Sequence, residues 1–285
     1  MKGTILITGA SAGIGYGAAG AFIRHGYRVI ATVRSQADAD RLRAEIPGDL
    51  HPVLCDVTQP GDVTSLPGYV RDLADGHLAG LINNAGIAAG PGPIELQQMA
   101  DIRAQFEVNV FGLMAVTQTL LPFLGTAPNH GHPPGRILNI SSVGGLIASP
   151  FITPYGASKH AVEGFSHGLR RELRLFGIKV IIIGPGAIKT AIWGKNRAAK
   201  SNPFRGTRYE QPFDKFVAYA GKVEASGATP DEIGEFLVKV HETPHPRARY
   251  AFVPGKFLNW TLPVSLPHLW LDKIIGRTMG LERGN

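Results

Sequence analysis

The chain has 285 residues, of which 44% are hydrophobic and one, Cys55, is a cysteine. This length favours one α/β domain with elaborations over two independent domains, and the hydrophobic content suffices for a large core. One cysteine excludes an internal disulfide and is compatible with a reducing compartment. The formal net charge is +7, but the basic residues are scattered and no helix-turn-helix, zinc or aromatic-platform pattern accompanies them. The charge therefore does not by itself predict a nucleic-acid-binding protein.

The first predicted elements are a strand at residues 4–8 and a helix at about 13–25, joined by a glycine turn. The strand prediction comes from a short β-branched apolar run, Thr4 to Thr8. Gly9, Gly13 and Gly15 follow in the spacing G-x-x-x-G-x-G, which differs from the common G-x-G-x-x-G fingerprint. Strand, glycine turn and helix together form the geometry that binds a dinucleotide pyrophosphate at a helix N-terminus. A glycine-rich loop of some other α/β protein is the alternative.

The end of the second predicted strand bears on the choice of cofactor. An NAD enzyme normally carries a carboxylate there, which binds the ribose hydroxyls and repels a 2′-phosphate. Val33 occupies that position in this chain and Arg34 follows it. Because a guanidinium fits a phosphate bidentately, we favour NADP(H) over NAD(H), with the hydroxyl of Ser11 as a further contact.

Strands and helices continue to alternate along the chain. Alternation of this kind predicts a parallel sheet with helices on both faces. The continuous apolar run at residues 181–183 is typical of a strand buried on both sides. Further strands are predicted near 28–33, 51–55, 79–83, 136–141, 179–184 and 249–253, and further helices near 36–45, 59–74, 101–124, 154–177 and 230–241.

The predicted helix at residues 154–177 carries Tyr155 and Lys159. A four-residue spacing places the phenol and the ammonium one above the other on a helix face. An ammonium beside a phenol favours the phenolate, so we expect the pKa of Tyr155 to lie below about 10. This would make Tyr155 an acid/base near neutral pH, with the hydroxyl of Ser142 aimed at the same substrate oxygen. Taken alone, the spacing also fits a solvated helix face.

These motifs together resemble the short-chain dehydrogenase/reductase family over about residues 3–190. Thr8 to Gly15 matches the cofactor turn of that family, and residues 83–86 match its N-N-A-G strand end. Ser142, Tyr155 and Lys159 fall at its serine, tyrosine and lysine positions. The other matches are the adenine-contacting pair Asp56-Val57, Asn109 within Val108-Asn109-Val110, and Pro185-Gly186 with Thr190 in the P-G-x-x-x-T segment that closes over the nicotinamide.

The resemblance implies a Rossmann-type doubly wound parallel sheet of about seven strands, in one dinucleotide-binding catalytic domain spanning residues 1–285. It implies hydride transfer between a nicotinamide and an alcohol or carbonyl carbon, with Tyr155 as acid/base and Ser142 stabilising the substrate oxygen. Lys159 would lower the Tyr155 pKa and hold the nicotinamide ribose. Asn109 would anchor a water that links Lys159 to solvent, stabilise a helix bulge, or do both. The expected cofactor-binding residues are Gly9, Ser11, Ala12, Gly13, Ile14, Gly15, Arg34, Asp56, Val57, Asn83, Ala85, Gly86, Tyr155, Lys159, Pro185, Gly186, Ile188 and Thr190; no metal ligand is expected.

Three segments interrupt the regular pattern. Residues 125–135 form a polar, proline-rich loop whose His130 and His132 lack a carboxylate or cysteine at ligand spacing, so we expect a solvated loop. By resemblance, residues 191–227 form a substrate lid whose aromatic residues line an apolar pocket; a helix pair packed on its own domain is the alternative. The apolar segment 256–281 could cap the pocket, bind a second subunit or lie on a membrane surface. The lid contains Trp193, Phe204, Tyr209, Phe213, Phe216 and Tyr219, with the cations Lys195, Arg197, Lys200, Arg205 and Arg208.

The substrate is the least determined feature of the sequence. The segment Ser141 to Leu146 and the strand end at residues 31–34 resemble the hydroxysteroid and retinol dehydrogenase branch, which implies a bulky apolar alcohol, ketone or aldehyde. We expect a cytoplasmic protein, because no signal peptide and no uninterrupted run of eighteen apolar residues is visible. We also expect a homo-oligomer, a dimer or tetramer. The alternatives are a cofactor-binding sensor without turnover, which should have lost Tyr155 or Lys159, a basic nucleic-acid-binding module, and an epimerase or dehydratase of the same fold.

Overall fold

The structure is a computed structural model that describes residues 2–128, 130–189 and 202–282. Seven parallel strands form one sheet: β1 (Thr4–Ile7), β2 (Arg28–Val33), β3 (Leu50–Leu54), β4 (Gly80–Asn83), β5 (Arg136–Ile140), β6 (Lys179–Pro185) and β7 (Arg249–Phe252). Their order is β3-β2-β1-β4-β5-β6-β7, so the chain reverses its direction of travel across the sheet between β1 and β4. A crevice at this reversal, outside the carboxyl ends of the strands, is where such sheets bind ligands.

Helices cover both faces of the sheet. The helices are α1 (Gly13–Arg24), α2 (Gln36–Glu45), α3 (Pro60–Ala74), α4 (Met99–Phe106), α5 (Leu113–Leu121), α6 (Thr153–Glu172), α7 (Glu210–Ala225), α8 (Pro230–Glu242), α9 (Leu262–Ser265) and α10 (His268–Met279). Successive residues of β1 point to opposite faces, as the strand repeat requires. Ile5 and Ile7 therefore pack in a core cluster with α1 and α8, while Leu6 packs in a second cluster with α3 and α5.

Helices α1 and α8 lie unusually close together because glycines face each other at their contact. A Cβ atom built on Gly17 would overlap the carbonyl group of Pro230, and one built on Gly234 would overlap the carbonyl of Gly17. This contact docks α8 against the helix that begins at the glycine turn. The first turn of α8 is itself fixed by a capping box between Thr229 and Glu232.

The predicted fold class is confirmed, and the observed strands lie within a few residues of their predicted positions. The sequence did not predict α7, α9 or α10, which form within the lid and C-terminal segments. The helix at 101–124 is also longer than predicted: α4, a π-helical segment (Glu107–Gly112), α5 and a second such segment (Pro122–Thr126) follow one another without a gap, with a non-helical φ of +129° at Gly125 near the end.

This continuous helix, Met99–Thr126, is the one helix of the described residues that is long and apolar enough, by length and composition, to cross a membrane. Its mean hydropathy is high, although buried polar residues such as Asn109 interrupt the apolar sequence. Val116, Leu120 and Leu124 are fully buried in the second core cluster. Core helices of soluble proteins share this length and composition, so the observation gives little support for a membrane span.

Two smaller expectations can be compared with the structure. Cys55 is buried, and burial raises the pKa of its thiol to about 12, as expected of a core thiol. In the loop after the second π-helical segment, His130 and His132 are joined by His77, whose ring stacks on His132 with 4.5 Å between centroids. No group of three or more His, Cys, Asp or Glu residues in the described parts of the chain is arranged to hold a metal ion.

Candidate active site

The glycine turn between β1 and α1 is shaped to admit a ligand close to the backbone. Gly9 and Gly13 have φ angles of +65° and +58°, which glycine adopts without strain. A Cβ atom on Gly15 would lie 2.5 Å from the Gly9 carbonyl oxygen, so a side chain there would close the turn. No side chain caps α1 at Ala12. The first N–H groups of α1 are therefore free of a side-chain partner, which suits the pyrophosphate of a dinucleotide.

Neighbouring strands hold this turn in place. The amide of Gly9 donates to Thr32 Oγ1 at 3.1 Å, and Asn84 Nδ2 donates to the carbonyls of Thr8 and Gly9 at 2.9 Å each. The hydroxyl of Thr8 in turn accepts from the amides of Asn84 and Ala85. The sequence placed Asn84 only within a matched motif and did not identify Thr8 or Thr32 as supports. Neither threonine could be identified as a support of the turn from the sequence, because threonine is common at strand ends.

At the end of β2 the structure separates Val33 from Arg34. The Val33 side chain is 1% exposed and packs in the first core cluster, whereas Arg34 is exposed. Close by on α2, Asp38 accepts from Arg41 at 2.9 Å and from the hydroxyl of Ser35 at 2.8 Å. These two hydrogen bonds hold the pKa of the Asp38 carboxyl below its usual value. The Asp38 carboxylate is thus paired with the Arg41 guanidinium.

Arg41 is a residue that the sequence analysis missed. Its guanidinium also donates to the carbonyl of Ser11 at 2.6 Å, which ties α2 to the glycine turn. A second cation therefore lies beside the edge of the turn, in addition to Arg34. The position of Arg41 one turn along α2 gave no signal, because its contact is with a backbone atom thirty residues away.

The adenine-side residues are brought to the same edge of the sheet, with one exception. Asp56 follows β3, and its Oδ1 accepts from the amide and hydroxyl of Thr58 at 2.9 and 2.8 Å. Val57 is buried next to it. The exception is Asn83, whose side chain is turned into the interior, where it donates to Thr117 and Asn139. Any contact of Asn83 with a ligand at the sheet edge would have to come from its main chain.

Tyr155 and Lys159 lie one turn apart on α6, as predicted. Tyr155 is half-buried, and Lys159 is 5% exposed with its Nζ 5.8 Å from the centre of the Tyr155 ring. Lys159 Nζ donates to the carbonyl of Ile140 at 2.9 Å. Ser142, just after β5, accepts from the Gly144 amide at 3.0 Å and hydrogen-bonds the Tyr155 phenol. The three predicted residues therefore converge at one point beside the carboxyl end of β5.

The pKa values at this point differ from the expectation. Burial raises the pKa of Tyr155 above its usual 10, and the hydrogen bond with Ser142 lowers it only in part. Burial also lowers the pKa of Lys159 to about 8, against the opposing effect of the Glu163 carboxylate. The predicted lowering of the Tyr155 pKa by Lys159 is therefore wrong: desolvation disfavours the charged form of both groups, and the Ser142 hydrogen bond is what opposes it at Tyr155.

Asn109 joins the helix to the loop after β4. It lies in the π-helical segment Glu107–Gly112, where its Oδ1 accepts from the Ile87 amide at 2.8 Å and its Nδ2 donates to the Ile87 carbonyl. Nδ2 also donates to Ser158 Oγ at 3.1 Å. Gly86 lies between Asn109 and Lys159: a Cβ built on it would be 3.3 Å from Asn109 Oδ1 and 3.7 Å from Lys159 Nζ. Asn109 thus links the π-helical segment to the loop after β4 and to α6.

The segment expected to close over the nicotinamide is described only in part. Gly186, directly after β6, donates its amide to the Phe252 carbonyl at 2.9 Å. Pro185 is buried, and Ile188 is 7% exposed and packs in the first core cluster. Thr190 lies outside the described residues, as do Trp193, Lys195, Arg197 and Lys200 of the predicted lid.

The described part of the predicted lid contains a buried aromatic cluster. Phe213 and Phe216 of α7 pack with Phe151, whose ring centre lies 5.5 Å from each of theirs. Phe204 packs on Phe213 at 4.7 Å, whereas Tyr219 is 51% exposed. Some of the predicted pocket aromatics therefore pack on the domain itself, which was the alternative interpretation of this segment.

Comparison with known proteins agrees with this geometry. A family model described as short chain dehydrogenase matches residues 3–201. The chain is 34% identical over 270 residues to the NADPH-dependent 3-dehydrocapnine reductase of Ornithobacterium rhinotracheale, covering 94% of each chain. It is 39% identical over 198 residues to human retinol dehydrogenase 16, covering 69% of this chain and 60% of that protein.

Solved structures show the same likeness. A short-chain dehydrogenase from Streptomyces avermitilis superposes with a TM-score of 0.76 and 29% identity, covering 99% of this chain and 98% of that one. The closed form of serine dehydrogenase complexed with NADP+ gives a TM-score of 0.74 and 26% identity over 89% and 95% of the two chains. A 3-ketoacyl-(acyl-carrier-protein) reductase from Brucella melitensis complexed with NADH gives 0.71 and 25% over 88% and 95%.

Proposed function

The chain belongs to the short chain dehydrogenase family, and we propose that it is an NADP(H)-dependent oxidoreductase interconverting an alcohol with a ketone or aldehyde on a bulky apolar substrate. The observation that carries this proposal is the convergence of Ser142, Tyr155 and Lys159 beside the glycine turn. A cofactor-binding sensor without turnover is the alternative. It explains less, because such a protein has no use for a phenol and an ammonium buried together.

In the proposed chemistry the bound nicotinamide supplies or accepts the hydride. Tyr155 donates its proton to the carbonyl oxygen during reduction, and Ser142 hydrogen-bonds the same oxygen as negative charge develops on it. In the oxidative direction the phenolate of Tyr155 would remove the alcohol proton. Lys159 holds positive charge beneath the phenol ring and is placed to contact a ribose hydroxyl.

The preference for NADP(H) is supported by the charge at the end of β2. Arg34 is exposed there, no carboxylate occupies position 33, and Asp38 is already bound by Arg41. A 2′-phosphate at this edge would meet the Arg34 guanidinium, while Arg41 is already paired with Asp38 and Glu45. The name of the NADPH-dependent relative points the same way. NADH-bound structures of similar fold leave NAD(H) as the competing cofactor.

An apolar substrate is supported by the surroundings of Tyr155 and by a relative named as a retinol dehydrogenase. Leu146 is 37% exposed in the loop that follows Ser142, and the aromatic cluster of Phe151, Phe213 and Phe216 lies at the start of α6. We place residues 1–285 in one catalytic domain, with a lid at about 191–227 that includes α7. Closure of such a lid would exclude water from the site.

We propose a homo-oligomer, a dimer or tetramer, in the cytoplasm. The C-terminal segment supplies a candidate contact face, since Leu269, Trp270 and Ile274 of α10 are 52–74% exposed. A membrane surface is a weaker use of the same face. Light scattering of the purified protein tests the first use, and vesicle sedimentation tests the second.

The test of the activity is a panel of steroid, retinoid and aliphatic ketones and alcohols, with NADPH and NADH absorbance as the readout. Wild-type protein should turn over an apolar member of the panel. Tyr155→Phe should lose at least 90% of the rate, since general acid catalysis contributes about 10²–10⁴-fold, while cofactor binding stays nearly intact. Retention of more than about a tenth of the wild-type rate would show that Tyr155 is not the acid/base.

A further inference from the structure

A buried ion pair lies directly behind the proposed catalytic residues. Arg249, the first residue of β7, donates from Nε to both carboxylate oxygens of Glu163 at 3.1 and 3.0 Å. The two side chains are 15% and 5% exposed. Glycines make room for the pair: a Cβ on Gly184 would overlap the guanidinium, and one on Gly145 would lie 2.9 Å from Glu163 Oε1.

The pair contacts or faces two of the three residues that converge at the site. Arg249 Nη2 donates to the carbonyl of Ser142 at 3.2 Å. Glu163 follows Lys159 by one turn of α6 and Tyr155 by two, so all three lie on one helix face. The carboxylate raises the pKa of Lys159 and so opposes the effect of burial. Arg249 therefore fixes the main chain at Ser142, while Glu163 favours the charged form of Lys159.

The C-terminal segment covers this pair. The Trp260 ring lies over the Arg249 guanidinium, with 4.4 Å between Cζ and the ring centroid. Trp260 is 8% exposed, in contrast to Trp270 of the same segment at 64%. A cation over an indole face is stabilised most when water is excluded. This use of the segment differs from the pocket cap, subunit contact and membrane contact that the sequence suggested.

We propose that Glu163, Arg249 and Trp260 form a positioning unit that holds Ser142 and Lys159 in their working geometry. The proposal rests on the proposed function, because it assigns roles relative to the same catalytic residues. Buried ion pairs are expensive to desolvate, and apolar replacements of similar volume are often as stable. The presence of the pair is therefore weak evidence of a stabilising role, although removing one partner alone leaves the other charge buried and unpaired.

The test uses the full-length protein and four variants. Glu163→Gln removes the carboxylate charge, and Arg249→Lys removes the guanidinium whose Nε and Nη2 donate to Glu163 and Ser142; both change the side-chain volume little. Each is expected to lower kcat by 10-fold or more; Arg249→Lys, which acts through Ser142, should change the NADPH Kd by less than 3-fold. Trp260→Leu should lower kcat by 5-fold or more, Trp260→Phe should restore most of it, and the matched control Trp270→Leu should leave kcat unchanged. Circular dichroism and thermal unfolding confirm that each variant is folded.

A pH measurement separates positioning from a merely structural role. Because Glu163 raises the pKa of Lys159, Glu163→Gln should shift that pKa to lower pH. Besides Arg249 of the pair itself, the titratable groups near Lys159 and Glu163 are Tyr155 and His167, both on α6. NMR of the lysine Cε signal, assigned with a Lys159→Met variant, gives the Lys159 pKa without any need for turnover.

The outcomes distinguish this proposal from the proposed function. If wild-type protein shows no turnover, or Tyr155→Phe keeps its rate, the proposed function fails. In that case the Lys159 pKa measured in Glu163→Gln still tests the positioning unit, because an unshifted pKa would overturn it. If wild type turns over and Tyr155→Phe does not, wild-type kcat in folded Glu163→Gln, Arg249→Lys and Trp260→Leu overturns the positioning unit alone. Equal losses in Trp260→Leu and Trp270→Leu would also overturn it.

Discussion

Replacing Arg34 with alanine is expected to weaken NADPH binding while leaving NADH binding unchanged. Arg34 is exposed at the end of β2, at the edge of the sheet where the glycine turn of Gly9 to Gly15 begins α1. A 2′-phosphate is the one group that separates the two cofactors. Loss of a guanidinium that reads this phosphate must therefore affect one cofactor and spare the other.

The size of the effect follows from the exposure of Arg34 and from its neighbour. A hydrogen bond to a charged group contributes about 1.5–3 kcal/mol, and solvent screening places an exposed arginine near the lower value. Arg41 stays beside the turn through its 2.6 Å hydrogen bond to Ser11 and retains part of the positive charge. We expect a loss of about 1.5 kcal/mol, which corresponds to roughly a 10-fold rise in the NADPH Kd.

Fluorescence titration with NADPH and NADH, at low and moderate salt, measures this effect. Arg43→Ala is the matched control, since Arg43 lies on α2 and pairs with Asp40 instead of facing the turn. Equal losses for the two cofactors in Arg34→Ala would refute the phosphate contact, and a wild-type preference for NADH would refute the cofactor assignment. Val33→Asp should also shift preference towards NADH, but it places a carboxylate at a position 1% exposed and should cost stability as well.

Three further predictions concern stability and the lid. Lys159 is 5% exposed and its pKa falls from 10.5 in the unfolded chain to about 8 in the folded one, so the unfolded chain binds more protons between these pH values. The free energy of unfolding of the wild type should therefore rise by about 3 kcal/mol relative to that of Lys159→Met as pH rises through this window. Urea unfolding at several pH values measures the difference between the two proteins, and a difference that does not change with pH would contradict the prediction. Gly17→Ala should destabilise the protein by roughly 1–3 kcal/mol, because its Cβ meets the Pro230 carbonyl. Gly164→Ala, which has open space around it inside α6, should stabilise the protein by about 0.5–1 kcal/mol. Thermal unfolding that ranks the two variants the other way would disprove the close contact of α1 and α8. Limited proteolysis should cut between Lys195 and Arg208 in the free protein and be suppressed by cofactor with substrate, and ligand-independent cleavage would argue against a lid.

The strands could be predicted from the sequence because each is a short apolar run between turn residues. The run at 181–183 in β6 is fully buried, as its composition indicated. Helix α10 could not be predicted in the same way. Leu271, Ile275 and Met279 form its inner face at a spacing of four residues, but Leu269, Trp270 and Ile274 lie on exposed positions. Apolar residues on both sides of a helix hide the periodicity on which prediction depends.

The same limit applies to the site. Tyr155 and Lys159 could be placed together because their spacing is local and belongs to one helix. Arg249 could not, since its partner Glu163 lies 86 residues earlier in the chain and the two meet only when β7 adds to the edge of the sheet beside β6. The sequence likewise contained no signal for Arg41, which reaches the glycine turn from α2.

The direction of the Tyr155 pKa shift shows why burial must be known before chemistry is assigned. From spacing alone, the ammonium of Lys159 lowers this pKa and favours a base. In the structure, desolvation acts on both groups and favours the neutral phenol and the neutral amine. The spacing of Tyr155 and Lys159 alone therefore gave the wrong direction for the shift of the Tyr155 pKa. The carboxylate of Glu163 opposes the neutralisation of Lys159, and Arg249 with Trp260 holds that carboxylate in place. The charge at Lys159 thus depends on residues other than Ser142, Tyr155 and Lys159 themselves.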